Sequence, residues 1–423
     1  MRTSFYFPKN SSRFELKDQK LVLEELRLLV EDASLSEIKY LDLSRTGLDD
    51  QGASILANSP HLKNVETLVL DNNNLGDEGV FLISHSPNLQ SLVSLKLSGN
   101  EIGPVGSKAL AIGPLMTKIK TLDLSYNRIE SFGAKAIGQS EQLVNLESLD
   151  LTDTGAGDDG LKSFAESFVG EKLNSFYLGG NDFTHEGIKT FSEVPNFSSI
   201  TSLNLEDNRL DDQGIKLLSA SPNLSNLREL RLRRNELTAD SAIAMANSTS
   251  MVNLKKLMIE NNDLRADGIK EFIKTDNVKN IEYLDVSENK LGPEGVKAIA
   301  SSSRFGNLKQ LILSNNRVLD EGAEAIGNSK VLNKLEVLHL DCNNWIEASG
   351  AKAISQSKTL SNLKELTLAL NLIGDEGADY LANSKNLSNL SYLNVVGNRL
   401  SALGEASLSS SVELKSLKNL EYF

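Results

Sequence analysis

Residues Leu68–Gly79 read LVLDNNNLGDEG, and residues Leu366–Gly377 read LTLALNLIGDEG. Both are a Leu-x-Leu-x-x-Asn block followed by a glycine. The first apolar position of the block recurs at Leu41, Leu68, Leu95, Leu122, Leu149, Phe176, Leu203, Leu230, Leu257, Leu284, Leu311, Leu338, Leu366, Leu393 and Leu420. Every step is 27 residues except one of 28, between Leu338 and Leu366, where the extra residue falls near Asn344–Ser349 and the only tryptophan, Trp345. A fixed period of this length marks a repeat array, so the 423-residue length is no guide to domain count.

Each column of the repeat has a physical cause. Leu-x-Leu places two apolar side chains on one face of a strand, because strand side chains alternate. The asparagine five residues after the first Leu is present in twelve of fourteen units, with Thr46 and Thr154 in the other two. A buried amide there can satisfy backbone groups of its own unit and the next, forming a ladder. Pro104 and Pro293 stand where a helix begins, and Asp49, Thr184, Asp211 and Thr238, one position earlier, read as N-caps. Acidic residues just inside, such as Asp77, Glu78, Asp375 and Glu376, suit the positive end of a helix. The following glycine, replaced only by Ser241, reads as a close approach of helix to strand. Apolar pairs such as Val80/Ile83 and Val296/Ile299 then give the helix a buried face. Each unit is therefore strand, asparagine turn, short helix and return loop, and stacking of units supplies the stability that one unit lacks.

From these blocks the chain resembles the ribonuclease-inhibitor type of leucine-rich repeat over about Leu41 to Phe423. The resemblance implies an α/β solenoid, a horseshoe with a concave parallel β-sheet and convex helices. It implies a non-enzymatic protein-binding scaffold. The uniform units, rich in Lys, Asn and Ser, resemble those of intracellular bacteria, where many such proteins are effectors delivered into host cells. The alternatives are a regulator of a small GTPase, since one branch of the family activates Ran, and the binding half of a longer enzyme.

The domain reading is an N-terminal helical cap over 1–37, its helix spanning Leu16 to Val30, and a solenoid over 38–423. The chain stops inside a strand at Leu420–Phe423, which reads as a truncation or a short natural end. Net charge is −13, so phosphate backbones are poor partners and no nucleic acid is expected. One cysteine, Cys342, excludes an intrachain disulfide and fits a reducing, cytosolic setting. Met1–Asn10 has no signal-peptide pattern, and no run of apolar residues is long enough for a membrane span. A monomer without cofactor or metal is expected.

On such a sheet the positions one before, one after and three after the first Leu face solvent and can touch a partner. Early strands are small and polar there: Thr121, Asp123, Ser125, then Ser148, Asp150, Thr152. Later strands carry Tyr177, Arg231, Arg233, Met258, Tyr283, Ile312, His339, Thr367 and Tyr392. Tyr, Met and Arg are enriched at interface centres, so Tyr177, Arg231, Met258, Tyr283, Ile312, His339 and Tyr392 are the expected partner-binding set. Arg233 and Arg234 read as neutralised by acidic lateral neighbours, whereas Arg231 reads as lacking one. His339, Asp341 and Cys342 come nearest to a catalytic group. An acidic neighbour disfavours a thiolate, too few ligands converge for zinc, and no catalytic residues are assigned.

Overall fold

The structure, a computed structural model, describes residues 5, 7, 11–343 and 345–422. Met1–Asn10 therefore falls largely outside the described residues, as do Asn344 and Phe423. The chain divides into two compact units, Met1–Asn208 and Arg209–Phe423. Both have the α/β leucine-rich-repeat solenoid architecture: three-residue parallel strands, each but the last followed by a short helix.

In the first unit the strands are β1 (Arg13–Glu15), β2 (Tyr40–Asp42), β3 (Thr67–Val69), β4 (Ser94–Lys96), β5 (Thr121–Asp123), β6 (Ser148–Asp150), β7 (Ser175–Tyr177) and β8 (Ser202–Asn204). In the second they are β9 (Glu229–Arg231), β10 (Lys256–Met258), β11 (Tyr283–Asp285), β12 (Gln310–Ile312), β13 (Val337–His339), β14 (Glu365–Thr367), β15 (Tyr392–Asn394) and β16 (Asn419–Glu421). Within each unit every strand pairs in parallel with its sequence neighbours, first Leu opposite first Leu, as in Leu68↔Leu95 and Leu284↔Leu311. The inward leucines of each block, such as Leu68 with Leu70 and Leu311 with Leu313, are fully buried. Five phenylalanines, Phe164, Phe168, Phe176, Phe191 and Phe197, pack ring on ring in the first unit, where Phe176 occupies a leucine column.

The asparagine column forms a ladder, but its side chains reach back to the preceding unit rather than on to the next. Asn289 donates to the carbonyls of Ile259 (2.8 Å), Ser287 (2.9 Å) and Val286 (3.2 Å), while its amide oxygen accepts from Leu264 N–H at 3.3 Å. One side chain thus joins two units, and its own N–H is taken by Asn316 of the next. Thr46 and Thr154 keep half of this, their hydroxyls bridging to Asn73 and Asn181.

Three expectations need correction. Phe14 and Leu16 alternate into the core as a strand does, and β1 pairs with β2, so the N-terminal helix is Leu23–Glu31 rather than starting at Leu16. Asp49, Thr184 and Thr238 cap their helices as expected, and so does Asp211, whose carboxylate accepts from Gln213 N–H (2.7 Å) and Gly214 N–H (3.2 Å) while its own φ of +52° is not that of a helix. The carboxylates just inside the helices do more than face a dipole. Asp50 accepts from Gly76 N–H (2.7 Å) and Gly79 N–H (2.9 Å) of the next unit, and Asp212 does the same for Thr238 and Ser241. Finally, the helix glycine accommodates a neighbouring helix, not a strand. A Cβ on Gly106 would lie 2.9 Å from the Cα of Asp77, and one on Gly268 the same distance from the Cα of Ala239.

Two consequences can be measured by urea unfolding. Asn289→Ala strands several buried backbone groups and should cost about 3 kcal/mol, whereas Asn307→Ala, which removes an exposed bond to Lys279 O, should cost about 1 kcal/mol or less. Gly106→Ala would stabilise a free helix, yet the crowded Asp77 backbone should make it destabilising by about 1–3 kcal/mol. A gain in stability would refute the helix-to-helix contact.

Candidate functional site

The ladder residues are spoken for, which leaves the sheet face as the place where side chains vary. In the first unit that face is closed on itself. Asp123 accepts from Ser125 N–H (3.0 Å) and Ser125 Oγ (2.6 Å), and Asp150 accepts from Thr152 N–H at 2.8 Å. Asp71 accepts from Ser98 N–H at 3.0 Å. Burial first, then the nearby Asp123 charge, pushes the Asp71 carboxyl up to about 6 against the help of that N–H. Burial likewise raises Asp150. Tyr177 stands half-buried on β7, in register with Asp150 and Asn204.

The second unit holds the other six expected residues, with Arg231, Met258, Asp285, Ile312, His339, Thr367 and Asn394 in lateral register across β9 to β15. Arg231 is not without an acidic partner: its guanidinium meets Glu229 Oε1 through Nη2 at 2.7 Å and Nε at 2.9 Å. The partner is two residues back on the same strand, hence on the same face. Lys256 also reaches Glu229, at 3.5 Å. Ile312 is only 8% exposed, flanked by Asp285 and His339, so it forms the floor of the face and is no exposed anchor. Met258 and Tyr283 are half-buried. Burial, then Asp285 and Glu260, pushes the Tyr283 hydroxyl up to about 12, so it stays a neutral donor. Burial raises Asp285 as well, against the pull of its hydrogen bonds from Ser287 Oγ and N–H. Tyr392 is half-buried on β15, its hydroxyl raised by burial and by Glu421.

The His339, Asp341 and Cys342 side chains are held by different partners. His339 Nε2 lies 2.7 Å from Glu365 Oε1, and Asp341 accepts from Thr367 Oγ1 (2.5 Å) and Ala369 N–H (2.8 Å). Burial, then Asp341 and Glu288, raises the Cys342 thiol, the opposite of an activated nucleophile. Among the described residues no group of three or more His, Cys, Asp and Glu is placed to hold a metal ion, and no helix is long and apolar enough to cross a membrane. Glu229 and Glu365 are the site residues that sequence reasoning missed. The signal was there, since both occupy the column before the first Leu, two residues or one strand from a cation.

The Leucine Rich repeat family model matches ten segments, residues 61–84, 88–111, 116–138, 142–165, 198–219, 223–246, 279–300, 307–327, 331–355 and 359–382, more than half of the chain. The chain belongs to the leucine-rich-repeat family, which is generally a protein-binding fold rather than an enzyme fold. No curated protein sequence matches it. Among solved structures it is similar to the yeast complex of Rad7 and Elc1, at 17% identity over 94% of this chain and 88% of that one, with a TM-score of 0.54. It is also similar to an internalin from Listeria monocytogenes, at 16% identity over 88% and 94%, with a TM-score of 0.48.

The Asp71 carboxyl gives a test of the electrostatics. The folded state holds this proton more tightly than an unfolded aspartate, which titrates near 3.9. The group therefore costs stability as pH rises through about 4 to 6, and the full cost is present above that window. Asp71→Asn keeps an acceptor for Ser98 N–H. Near pH 7 it should raise the unfolding free energy by about 1 kcal/mol after allowance for solvent screening, and flatten the pH dependence across the window. An unchanged pH profile would show the carboxyl to be unperturbed.

Proposed function

We propose that this chain is a non-enzymatic binding scaffold that holds a protein partner on the sheet face of residues 209–423. The observation that carries the reading is the change of character of that face. In the first unit the aspartates are closed onto their own Ser and Thr neighbours and little else stands beside them, while in the second Arg231, Met258, Tyr283 and His339 stand half-buried in the columns around Ile312 and the Ser287-bonded Asp285. Aromatic, Met and Arg side chains with part of their surface already ordered lose little entropy on binding and give much contact area. The Arg231–Glu229 and His339–Glu365 pairs offer polar groups of both signs on either side of Met258, Asp285 and Ile312. Rad7, which shares the fold, is solved together with a protein, Elc1.

The finer reading is a bacterial effector that grips a host protein, with Tyr177 and Tyr392 as outer contacts. Its support is the uniform 27-residue module and the Lys-, Asn- and Ser-rich texture. The cytosolic, monomeric state belongs to the same proposal.

Capture from a eukaryotic lysate, compared between the intact chain and an Arg231→Ala, Met258→Ala, Tyr283→Ala triple variant, tests the site. A specific partner should be lost from the triple variant, at least roughly tenfold in affinity, and kept by Thr121→Ala with Ser148→Ala in the first unit. Retention of the same partner by the triple variant would sink the assignment. Ile312 stays untouched, because truncating a buried side chain would confuse folding with binding.

A further inference from the structure

The 28-residue unit is the one break in the module, and the structure shows where its extra residue goes. In the regular units the backbone N–H seven residues after the first Leu donates to the asparagine of the next unit, as Val318 does to Asn343 at 3.1 Å and Ile373 to Asn398 at 3.2 Å. In the long unit Ile346, not Trp345, makes this bond, to Asn371 at 3.4 Å, and Ile346 is fully buried like its counterparts. Trp345 is left outside the ladder and 58% exposed. The fold does not need it there, since every other unit makes the same turn in one residue fewer.

Its surroundings are equally out of pattern. Leu372 N–H bonds to Ile346 O at 2.9 Å, so the backbone after Trp345 is tied to the stretch that carries Leu370 and Leu372. The column of Leu370 takes positive φ throughout the array, in Tyr126, Arg234, Asn315, Cys342 and Gly397 alike, so its backbone is set by the module. Leu370 sits there at φ +57°, 51% exposed, its side chain laid over Gly397. Leu372 is the apolar member of a column that elsewhere reads Glu236, Asp263, Lys290, Arg317 and Arg399. Arg317 and Arg399, in the units on either side, are exposed and make no ion pair among the described residues. Nearby carboxylates are mostly taken: Asp341 by Thr367 and Ala369, Asp320 by Glu347 N–H and Gly350 N–H, Asp375 by Ser401. Glu347 is the exposed exception.

We propose that Trp345, Leu370 and Leu372, flanked by Arg317 and Arg399, dock an acidic, apolar peptide segment of a partner protein. The indole and the two leucines offer an apolar seat, and the two guanidinium groups select carboxylates beside the inserted side chain. Aliphatic neighbours, rather than further aromatic platforms, and a net charge of −13 favour a peptide over single-stranded nucleic acid. The surface lies on the loops after the strands, not on the sheet face, and either assignment can fail without the other.

The experiment is selection of short peptides from a random phage-displayed library on the intact chain, with counter-selection on Trp345→Ala. Because Trp345 is the only tryptophan, its own fluorescence reads each synthetic peptide selected. The expected winners carry an aliphatic or aromatic side chain beside Asp or Glu. They should blue-shift the emission and shield the indole from acrylamide. They should bind an Arg317→Glu, Arg399→Glu variant at least about tenfold more weakly, and bind the sheet-face triple variant as well as the intact chain. Circular dichroism of the charge-reversal variant should match the intact chain, since both arginines are exposed. The proposal is overturned if no peptide dependent on Trp345 emerges, if the winners are basic or lack acidic residues, or if a uridine oligonucleotide shields the indole better than they do.

Discussion

A buried carboxamide shared between neighbouring units is the constraint on which the rest depends. Strands of three residues leave the following turn with backbone groups that no sheet can satisfy, and burial makes each unmet group costly. The asparagine column answers this with one side chain that donates to two or three carbonyls and accepts from the preceding unit. Such a device works only if successive turns superimpose. The module is therefore held at constant length up to the buried Leu or Ile that follows, and an extra residue must leave the ladder, as Trp345 does.

Two further ladders reinforce the first. Asparagines four residues before the first Leu donate back one unit, as Asn253 does to Ser225 O and Asn280 to Val252 O, both at 2.9 Å. Serines after the helices do likewise, as Ser248 does to Ser219 O and Ser329 to Ala300 O, both at 2.6 Å. The abundance of Asn and Ser thus has a physical origin in backbone satisfaction. The forward-reaching aspartates act on the helices in the same way, since Asp50, Asp212 and Asp375 cap the helix of the next unit. Hydrogen bonds from Ser401 hold the Asp375 carboxyl below the usual range, and those from Ser241 and Thr238 overcome burial to do so for Asp212.

With folding assigned to ladders and leucines, the sheet face is free to vary, and it does so differently in the two units. In the first unit aspartates such as Asp123, bonded to the hydroxyl two residues on, make the face small and polar, while in the second the one such aspartate among the patch residues, Asp285, is surrounded by Arg231, Met258 and Tyr283, contact area of mixed character. The class of surface was legible because strand alternation assigns those columns without a structure. The state of each residue was not. Arg231 looked unpartnered while lateral neighbours alone were considered, but its acidic partner stands in its own strand. Ile312 looked exposed by column, yet its neighbours cover it.

By itself the sequence determined the repeat, the strand and helix order, the buried columns and the asparagine ladder, because these follow from period, alternation and the need to pair buried polar groups. It did not disclose β1, whose Phe14 and Leu16 imitate one leucine pair without the rest of the motif. Nor did it reveal that the glycines face a neighbouring helix, that aspartates cap forward, or that Trp345 rather than Ile346 leaves the core. Those outcomes depend on distances between residues about one module apart. Only stacking of the units brings such residues together, so only tertiary structure could decide them.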